Sequence, residues 1–234
     1  MFSIKIADLI ICIHNQYSYV QDMCHDYITT DRNINFHVKV SQEEMINEQT
    51  NANISCSLAY CESICVYRAI SNQLIHFDAF LMHGACIEYR GEVYAFCAKS
   101  GTGKSTHLLL WKKVFGENVH IINGDKPILR MCNDTFYVYG TPWCGKEGWN
   151  INTKAPLKSL CFLERGKINT IEKLSNSQVM QRLCHQILMP KSPEQMVRYL
   201  DMMDDLISQT SCYLLHCNME DEAAKVAFEG MNKQ

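Results

Sequence analysis

The run Ala98-Lys99-Ser100-Gly101-Thr102-Gly103-Lys104-Ser105-Thr106 leaves this chain few folds to choose from. It follows a short apolar stretch at 93–97 and opens a helix-like stretch from Lys104 to Phe115. Strand, glycine-rich turn and helix in that order form the context of a phosphate-binding loop. Gly101 and Gly103 let the backbone turn its N–H groups inward around an anion. Lys104 adds a mobile positive charge, and the Ser105 hydroxyl can hold magnesium. Ser100, Thr102 and Thr106 complete the cradle. Ala98 stands where glycine is usual; it is small, but a positive φ there would be costly. A turn that merely joins two elements needs no such order of glycine, lysine and hydroxyls. The expected ligand is a nucleoside triphosphate or a similar phosphate.

Composition narrows the partners. The chain has 234 residues, 47% hydrophobic and 20% charged, with a net charge of −3. That is enough for one generous domain or a small lobe plus a larger one. The charge gives no reason to expect nucleic acid or an anionic membrane as partner. No apolar run approaches a membrane span, and 1–6 reads as a strand rather than a signal peptide, so a cytoplasmic location is expected. The 13 cysteines are spread along the chain, among them Cys12, Cys65, Cys86, Cys97, Cys161 and Cys212 in apolar segments. Cys61 and Cys65 stand one helical turn apart near Cys56, and Cys24 adjoins His25, but none forms a C-x-x-C array. Reduced thiols packed as small hydrophobes are expected instead of a structural metal.

Three zones follow. Residues 1–54 alternate strand-like stretches (2–13, 34–40) with a helix-compatible piece at 16–27, and 41–53 reads as a polar loop. From 55 to 72, Leu58, Cys61, Cys65 and Ala69 recur at helical spacing. The nucleotide module begins near Phe80. Ala85–Tyr89 and Glu92–Cys97 form a hairpin around Arg90-Gly91, and 128–131 with Thr135–Tyr139 form another around Asn133-Asp134. Further strands are expected at 120–122, 157–163 and 169–174. The last zone reads as helices over 175–188 and 193–209, a strand at 212–217 and a closing helix at 221–231. The division expected is 1–75, an N-terminal α+β lobe, and 76–234, a nucleotide-binding domain with a helical C-terminal part. The class is α/β with antiparallel additions.

Phosphoryl chemistry needs a divalent ion, and the ion needs oxygen ligands. Asp125 stands 20 residues after Ser105, at the end of the strand that follows the loop helix. A strand–loop–helix–strand unit would bring those two strand ends side by side. A turn aspartate in Asn-Gly-Asp is the plainer alternative. His83, before Gly84 at a strand mouth, reads either as an acid/base near neutral pH or as a hydrogen-bonded structural residue. In the 140–149 segment Lys146 could neutralise a transferring phosphoryl group, and Trp143 or Trp149 could cover a base; a surface turn is the competing reading. Arg165 at a strand end is either an anion contact or a solvated terminus. His107 reads as structural, and His185 and His216 have no arranged partners in the sequence.

His83-Gly84, a hairpin, Ser100-Gly101-Thr102-Gly103-Lys104-Ser105 and then Asn123-Gly124-Asp125-Lys126-Pro127 together resemble the catalytic half of HPr kinase/phosphorylase. The loop is also similar to that of the phosphoenolpyruvate carboxykinases, which share that fold. Gly140-Thr141-Pro142-Trp143-Cys144-Gly145-Lys146 and Phe162-Leu163-Glu164-Arg165-Gly166 look like a group of small bacterial HPr-kinase-like proteins. The resemblance covers roughly 80–165 and, more weakly, the C-terminal helices. It implies a P-loop mixed sheet of the HPr kinase/phosphoenolpyruvate carboxykinase type with an N-terminal α+β extension and C-terminal helices. It also implies Lys104 on the β- and γ-phosphates, Ser105 and Asp125 on magnesium, and Asp125 as the second of two adjacent aspartates. Gly124 occupies the position of the first, the presumed base. Carboxykinase chemistry would need a far longer chain.

The expectation is therefore an ATP- and Mg2+-dependent kinase passing the γ-phosphoryl group to a hydroxyl, that of a serine in a protein or peptide. Catalytic work falls to His83, Asp125 and Lys104. The alternatives are a nucleotide-dependent binding or regulatory module, which the missing carboxylate at Gly124 favours, and a kinase of free serine or a sugar. The loop itself does not distinguish ATP from GTP. The C-terminal helices offer a surface for a homo-oligomer.

Overall fold

The computed structural model describes residues 1–52, 55–190 and 192–233. The chain divides into two compact units, Met1–Phe77 and Asp78–Gln234.

In the first unit, β1 (Phe2–Ile6) and β2 (Leu9–His14) form an antiparallel hairpin, and β3 (Phe36–Lys39) joins β2 in parallel. The stretch at 2–13 that reads as one strand is two, because Ala7 and Asp8 both take left-handed φ (51° and 56°). That pair makes the turn whose twist suits a two-residue hairpin. Ile4, Ile6, Ile11 and Ile13 are all buried. The helices are α1 (Ser18–Met23), α2 (Gln42–Asn51) and α3 (Leu58–Leu74). The expected loop at 41–53 is thus corrected to a helix, with Asn53 outside the described residues. Its cause is a capping box: Glu44 N–H donates to Ser41 Oγ at 3.2 Å and Glu44 Oε2 accepts from Ser41 N–H at 2.7 Å. Buried Glu62 on α3 accepts backbone N–H bonds from Gln16 at 2.5 Å and Tyr17 at 3.1 Å, fixing the entry to α1.

The second unit is a mixed sheet with helices. Its strands are β4 (Ala79–Leu81), β5 (Ala85–Tyr89), β6 (Glu92–Cys97), β7 (Val119–Asn123), β8 (Ile128–Cys132), β9 (Thr135–Tyr139), β10 (Lys154–Arg165), β11 (Thr170–Lys173) and β12 (Ser211–Cys217). The helices are α4 (Lys104–Phe115), α5 (Asn176–Leu183), α6 (Pro193–Gln209) and α7 (Glu222–Asn232). The main strand order is β4-β8-β9-β10-β6-β5-β7, with β12 on β10 and β11 on β12. Both expected hairpin turns are present: Arg90-Gly91 (φ 58° and 83°) and Asn133-Asp134 (φ 48° and 57°). β10 changes partners along its length. It pairs antiparallel with β9 at Lys154–Pro156, then parallel with β6 and β12.

β7 pairs with β5, not with β6, so the strand ends expected side by side are separated by one strand. The reason is the hairpin β5–β6: β5 takes the place beside β6 that a βαβ crossover would have given to β7.

The helix behind the glycine-rich turn is anchored by aromatic packing. Trp111 on α4 is fully buried, its ring 5.1 Å from Tyr94, 5.0 Å from Phe115 and 5.9 Å from Phe228 on α7. Aromatic rings carry the largest apolar areas of any side chains, so this cluster anchors the second half of α4 in the core.

Candidate functional site

The glycine-rich turn bridges the end of β6 and the start of α4. Gly101 (φ 76°) and Gly103 (φ 124°) take backbone conformations that L side chains rarely adopt, whereas Ala98 stays outside the left-handed region. The glycine-to-alanine departure at 98 therefore costs no strain. No side chain caps α4 at Gly103, so its first N–H groups remain available at the turn. Helix N–H groups left this way, with the dipole behind them, favour an anion.

Lys104 is folded back into the turn. Its ammonium donates to the Ala98 carbonyl at 3.2 Å and lies 3.3 Å from His83 Nε2. Burial pushes its pKa down, against a pull upward from the Asp125 carboxylate. His83 Nε2 is in turn 3.2 Å from Asp125 Oδ1, and the Lys126 ammonium lies 3.3 Å from Asp125 Oδ2. Burial raises the Asp125 pKa, but the His83 hydrogen bond and the Lys126 charge outweigh it and hold the carboxyl below its usual range. One nitrogen cannot serve both neighbours in one tautomer. Either Nε2–H donates to Asp125, or the Nε2 lone pair accepts from Lys104.

Asp125 is placed by a buried bracket rather than by regular structure. Asn123 Oδ1 accepts from the N–H of Asp125 at 2.8 Å and of Lys126 at 2.7 Å. Its Nδ2 donates to the Thr141 carbonyl at 2.9 Å, and Thr141 Oγ1 donates to the Lys126 carbonyl at 2.7 Å. Asn123 and Thr141 are both fully buried. His83 is held by its own N–H on the Gln186 carbonyl at 2.6 Å, and Gly84 N–H donates to the Asp125 carbonyl at 3.0 Å. A backbone bond from the residue next to His83 thus ties its segment to Asp125.

Gly124 is a glycine for a steric reason. A Cβ there would come within 2.9 Å of the Cys144 carbonyl oxygen and 3.6 Å of that of Trp149. The backbone of 144–149 fills the space that an aspartate at 124 would need. That same segment brings Glu147 to the cradle, where its Oε1 accepts from Ser105 Oγ at 3.1 Å. In the sequence only its place between Gly145 and Gly148 marks Glu147 out. Lys146 is exposed on the rim of the same cleft. Trp143 is buried, and Trp149 is half-buried against the core.

His83, Lys104, Ser105, Asp125, Lys146 and Glu147 line a cleft of about 490 Å3 that also takes in Ser100, Gly101, Gly103 and Thr106. A second cavity, about 400 Å3, continues from the turn past Leu110, Leu163, Arg165 and Met219. A third, about 500 Å3, lies along the end of β10 beside Lys99, Arg165, Arg182 and His185. Arg165 lines both of these cavities. It donates to the carbonyls of Gly101 at 2.6 Å and Thr102 at 3.4 Å, holding them outward. Glu164 beside it pairs with Arg182 at 2.6 Å and lies 3.9 Å from His216 Nδ1.

His107 borders the second cavity but takes no part in the hydrogen bonds of the cleft. Its Nε2 accepts from Trp111 Nε1 at 3.0 Å, Nδ1 is buried with no partner, and burial pushes its pKa down to about 3. All 13 cysteines are unpaired thiols. Burial raises the pKa of Cys97, under the cradle, to about 12, which leaves it an inert thiol. Not every thiol is packed among hydrophobes, however. Cys12 lies beside His14 and His37 in the first unit.

No protein-family model matches the chain, and no curated protein matches it. Among solved structures it is similar to the HPr(Ser) kinase/phosphatase from Coxiella burnetii, with 7% identity and a TM-score of 0.39. The likeness covers 64% of this chain and 95% of that one. So loose a likeness carries no argument about activity, which rests on the residues themselves. Among the described residues no helix is long and apolar enough to cross a membrane.

Proposed function

We propose that this chain is an ATP- and magnesium-dependent kinase that passes the γ-phosphoryl group to a hydroxyl, that of a serine in a protein or peptide. One observation carries the reading: Lys104, Ser105, His83, Asp125 and Glu147 converge on a single cleft at the glycine-rich turn. Hydroxyl and carboxylate oxygens suit magnesium, which prefers hard oxygen ligands and keeps several waters. Ser105, Asp125 and Glu147 would hold it, and it would supply charge neutralisation at the phosphates.

The chain's own groups divide the remaining work. The α4 N–H groups and the backbone at Gly101–Gly103 would cradle the phosphates, with the nucleoside along the cavity past Leu110 and Leu163. Lys104 would leave the Ala98 carbonyl and His83 to meet the β- and γ-phosphates. Its departure frees His83 Nε2 to answer to Asp125 alone. With Nε2–H donated to ionised Asp125, the lone pair on Nδ1 of His83 would be the one to take the acceptor hydroxyl proton. Glu147 offers a carboxylate in the cleft where the HPr-kinase pattern would have one at 124.

A second reading draws on that glycine: a nucleotide-dependent binding or regulatory module without transfer. A kinase of free serine or a sugar differs from the first only in its acceptor. The deciding experiment is calorimetric titration with ATP and magnesium beside Lys104→Ala, followed by an acceptor screen with γ-labelled ATP. Binding weakened more than about tenfold in the variant, with label transferred to a peptide serine, supports the kinase. Binding without transfer to any acceptor favours the module. No binding by either protein overturns both.

A further inference from the structure

The first unit carries a second donor cluster, unrelated to the cleft. Cys12 and His14 stand two apart on β2 and so share one face of the three-stranded sheet. His37 on β3 is the register partner of Cys12, which brings it to the same face. Cys12 Sγ is 3.9 Å from His14 Nε2, and His14 Nε2 is 3.1 Å from His37 Nδ1. All three donor atoms lie within 4.8 Å of one another.

Those spacings can be compared with what a metal demands. Zinc–sulfur bonds of about 2.3 Å and zinc–nitrogen bonds of about 2.0–2.1 Å at tetrahedral angles set S···N near ~3.6 Å and N···N near ~3.3 Å. The cluster stands within a few tenths of an ångström of both values for the two bonded contacts. Thiolate and imidazole are also the donor types that zinc(II) takes in proteins, whereas calcium and magnesium want oxygen. A graded exposure completes the site: Cys12 is buried, His14 half-buried and His37 exposed, so solvent reaches one side. Lys39, the register partner of His14, is exposed, and its charge is screened by water and salt.

We propose that Cys12, His14 and His37 form a zinc(II) site with three protein ligands and a fourth position open to solvent. Binding releases one proton, that of the Cys12 thiol. The imidazole proton now shared between His14 and His37 moves to a ring nitrogen that faces away from the ion, so each histidine ligates as the neutral ring. The ion ties β2 to β3 and stabilises the unit they share, because the unfolded chain does not hold the three donors together.

The test uses the full chain, stripped with a chelator and titrated with zinc(II) against a chromophoric competitor, and separately with cobalt(II). One ion per chain is expected, with a thiolate-to-cobalt charge-transfer band in the near ultraviolet and a raised Tm on zinc addition. His37→Ala removes an exposed ligand at little risk to folding and should weaken zinc binding by roughly 100-fold. Cys12→Ser should abolish the charge-transfer band. The double variant Cys56→Ser/Cys61→Ser, whose sulfurs lie 3.4 Å apart, should change neither readout. Zinc affinity unaltered in His37→Ala, or a cobalt band that survives in Cys12→Ser, overturns the proposal.

Discussion

The Ser105 hydroxyl donates to Glu147 Oε1 at 3.1 Å, so the cradle hydroxyl has a carboxylate beside it that its sequence neighbourhood does not supply. Glu147 comes from the segment that excludes a side chain at 124, and the two facts have one origin. The loop that closes off the position of one acid delivers another to the same cleft.

Glu147→Gln keeps the shape and removes the charge. If Glu147 serves the metal or the proton, turnover with ATP and magnesium should fall by about 10²–10⁴-fold. Affinity for ATP measured without magnesium should hardly change. A variant that transfers phosphate at the parent rate would remove Glu147 from the mechanism. The readout is a single-turnover assay at several magnesium concentrations.

Gly124→Asp tests the closed space at that position. The added side chain meets two carbonyl oxygens, one of them 2.9 Å from its Cβ, and overpacking of that kind costs about 1–3 kcal/mol. The variant should lose that much stability in urea denaturation and gain no turnover. A stable, faster enzyme would show that the 144–149 backbone gives way freely.

Arg165→Ala removes the two guanidinium bonds to Gly101 and Thr102. Because Arg165 is exposed, global stability should move by less than about 0.5 kcal/mol. Nucleotide affinity should still drop about five- to tenfold, since the carbonyls are no longer held away from the phosphates. Arg165→Lys should rescue little, as an ammonium cannot span both acceptors as a planar fork does. Faster hydrogen exchange at 100–103 in the alanine variant would confirm the cause.

His107 predicts an acid-side loss of stability. Its folded pKa of about 3 lies below the usual 6.5, so between those values the unfolded chain binds the extra proton. Stability from this residue is whole above pH ~6.5, falls as pH drops and is lost by pH ~3, about 5 kcal/mol at full extent. His107→Gln keeps an acceptor for Trp111 but does not titrate. Its urea midpoint should therefore decline less between pH 7 and pH 4.5 than that of the parent chain.

Legibility in the sequence followed the range of the interaction. The turn at 98–106, the hairpins at Arg90-Gly91 and Asn133-Asp134, and the start of α6 at Pro193 are local, and each was readable. The Ala7-Asp8 turn was not, since neither residue is a glycine or asparagine and its left-handed backbone is imposed by pairing of the flanking strands. The helix at 42–51 was hidden by polar residues, although Ser41 and Glu44 spelled its capping box. Of the cleft, His83, Lys104, Ser105 and Asp125 were named from the sequence because motif spacing carries them. Glu147, the Asn123 bracket and the Cys12–His14–His37 group depend on strand register or loop packing, which no spacing rule encodes. The last of these contains one cysteine only, and its third member lies on the neighbouring strand, 23 residues beyond His14.

The bracket around Asn123 has a consequence for how the cleft responds to a ligand. The backbone turn that carries Asp125 is held by Asn123 and Thr141, which solvent does not reach, so the position of its Cα is fixed when the chain folds. Lys104 is different, since it must give up Ala98 and His83 before it can reach anything else. A ligand that calls on Lys104 would therefore move a flexible arm past a partner whose backbone is already bracketed. Filling the cleft would thus begin with the release of one side chain, beside an acid whose backbone is already set.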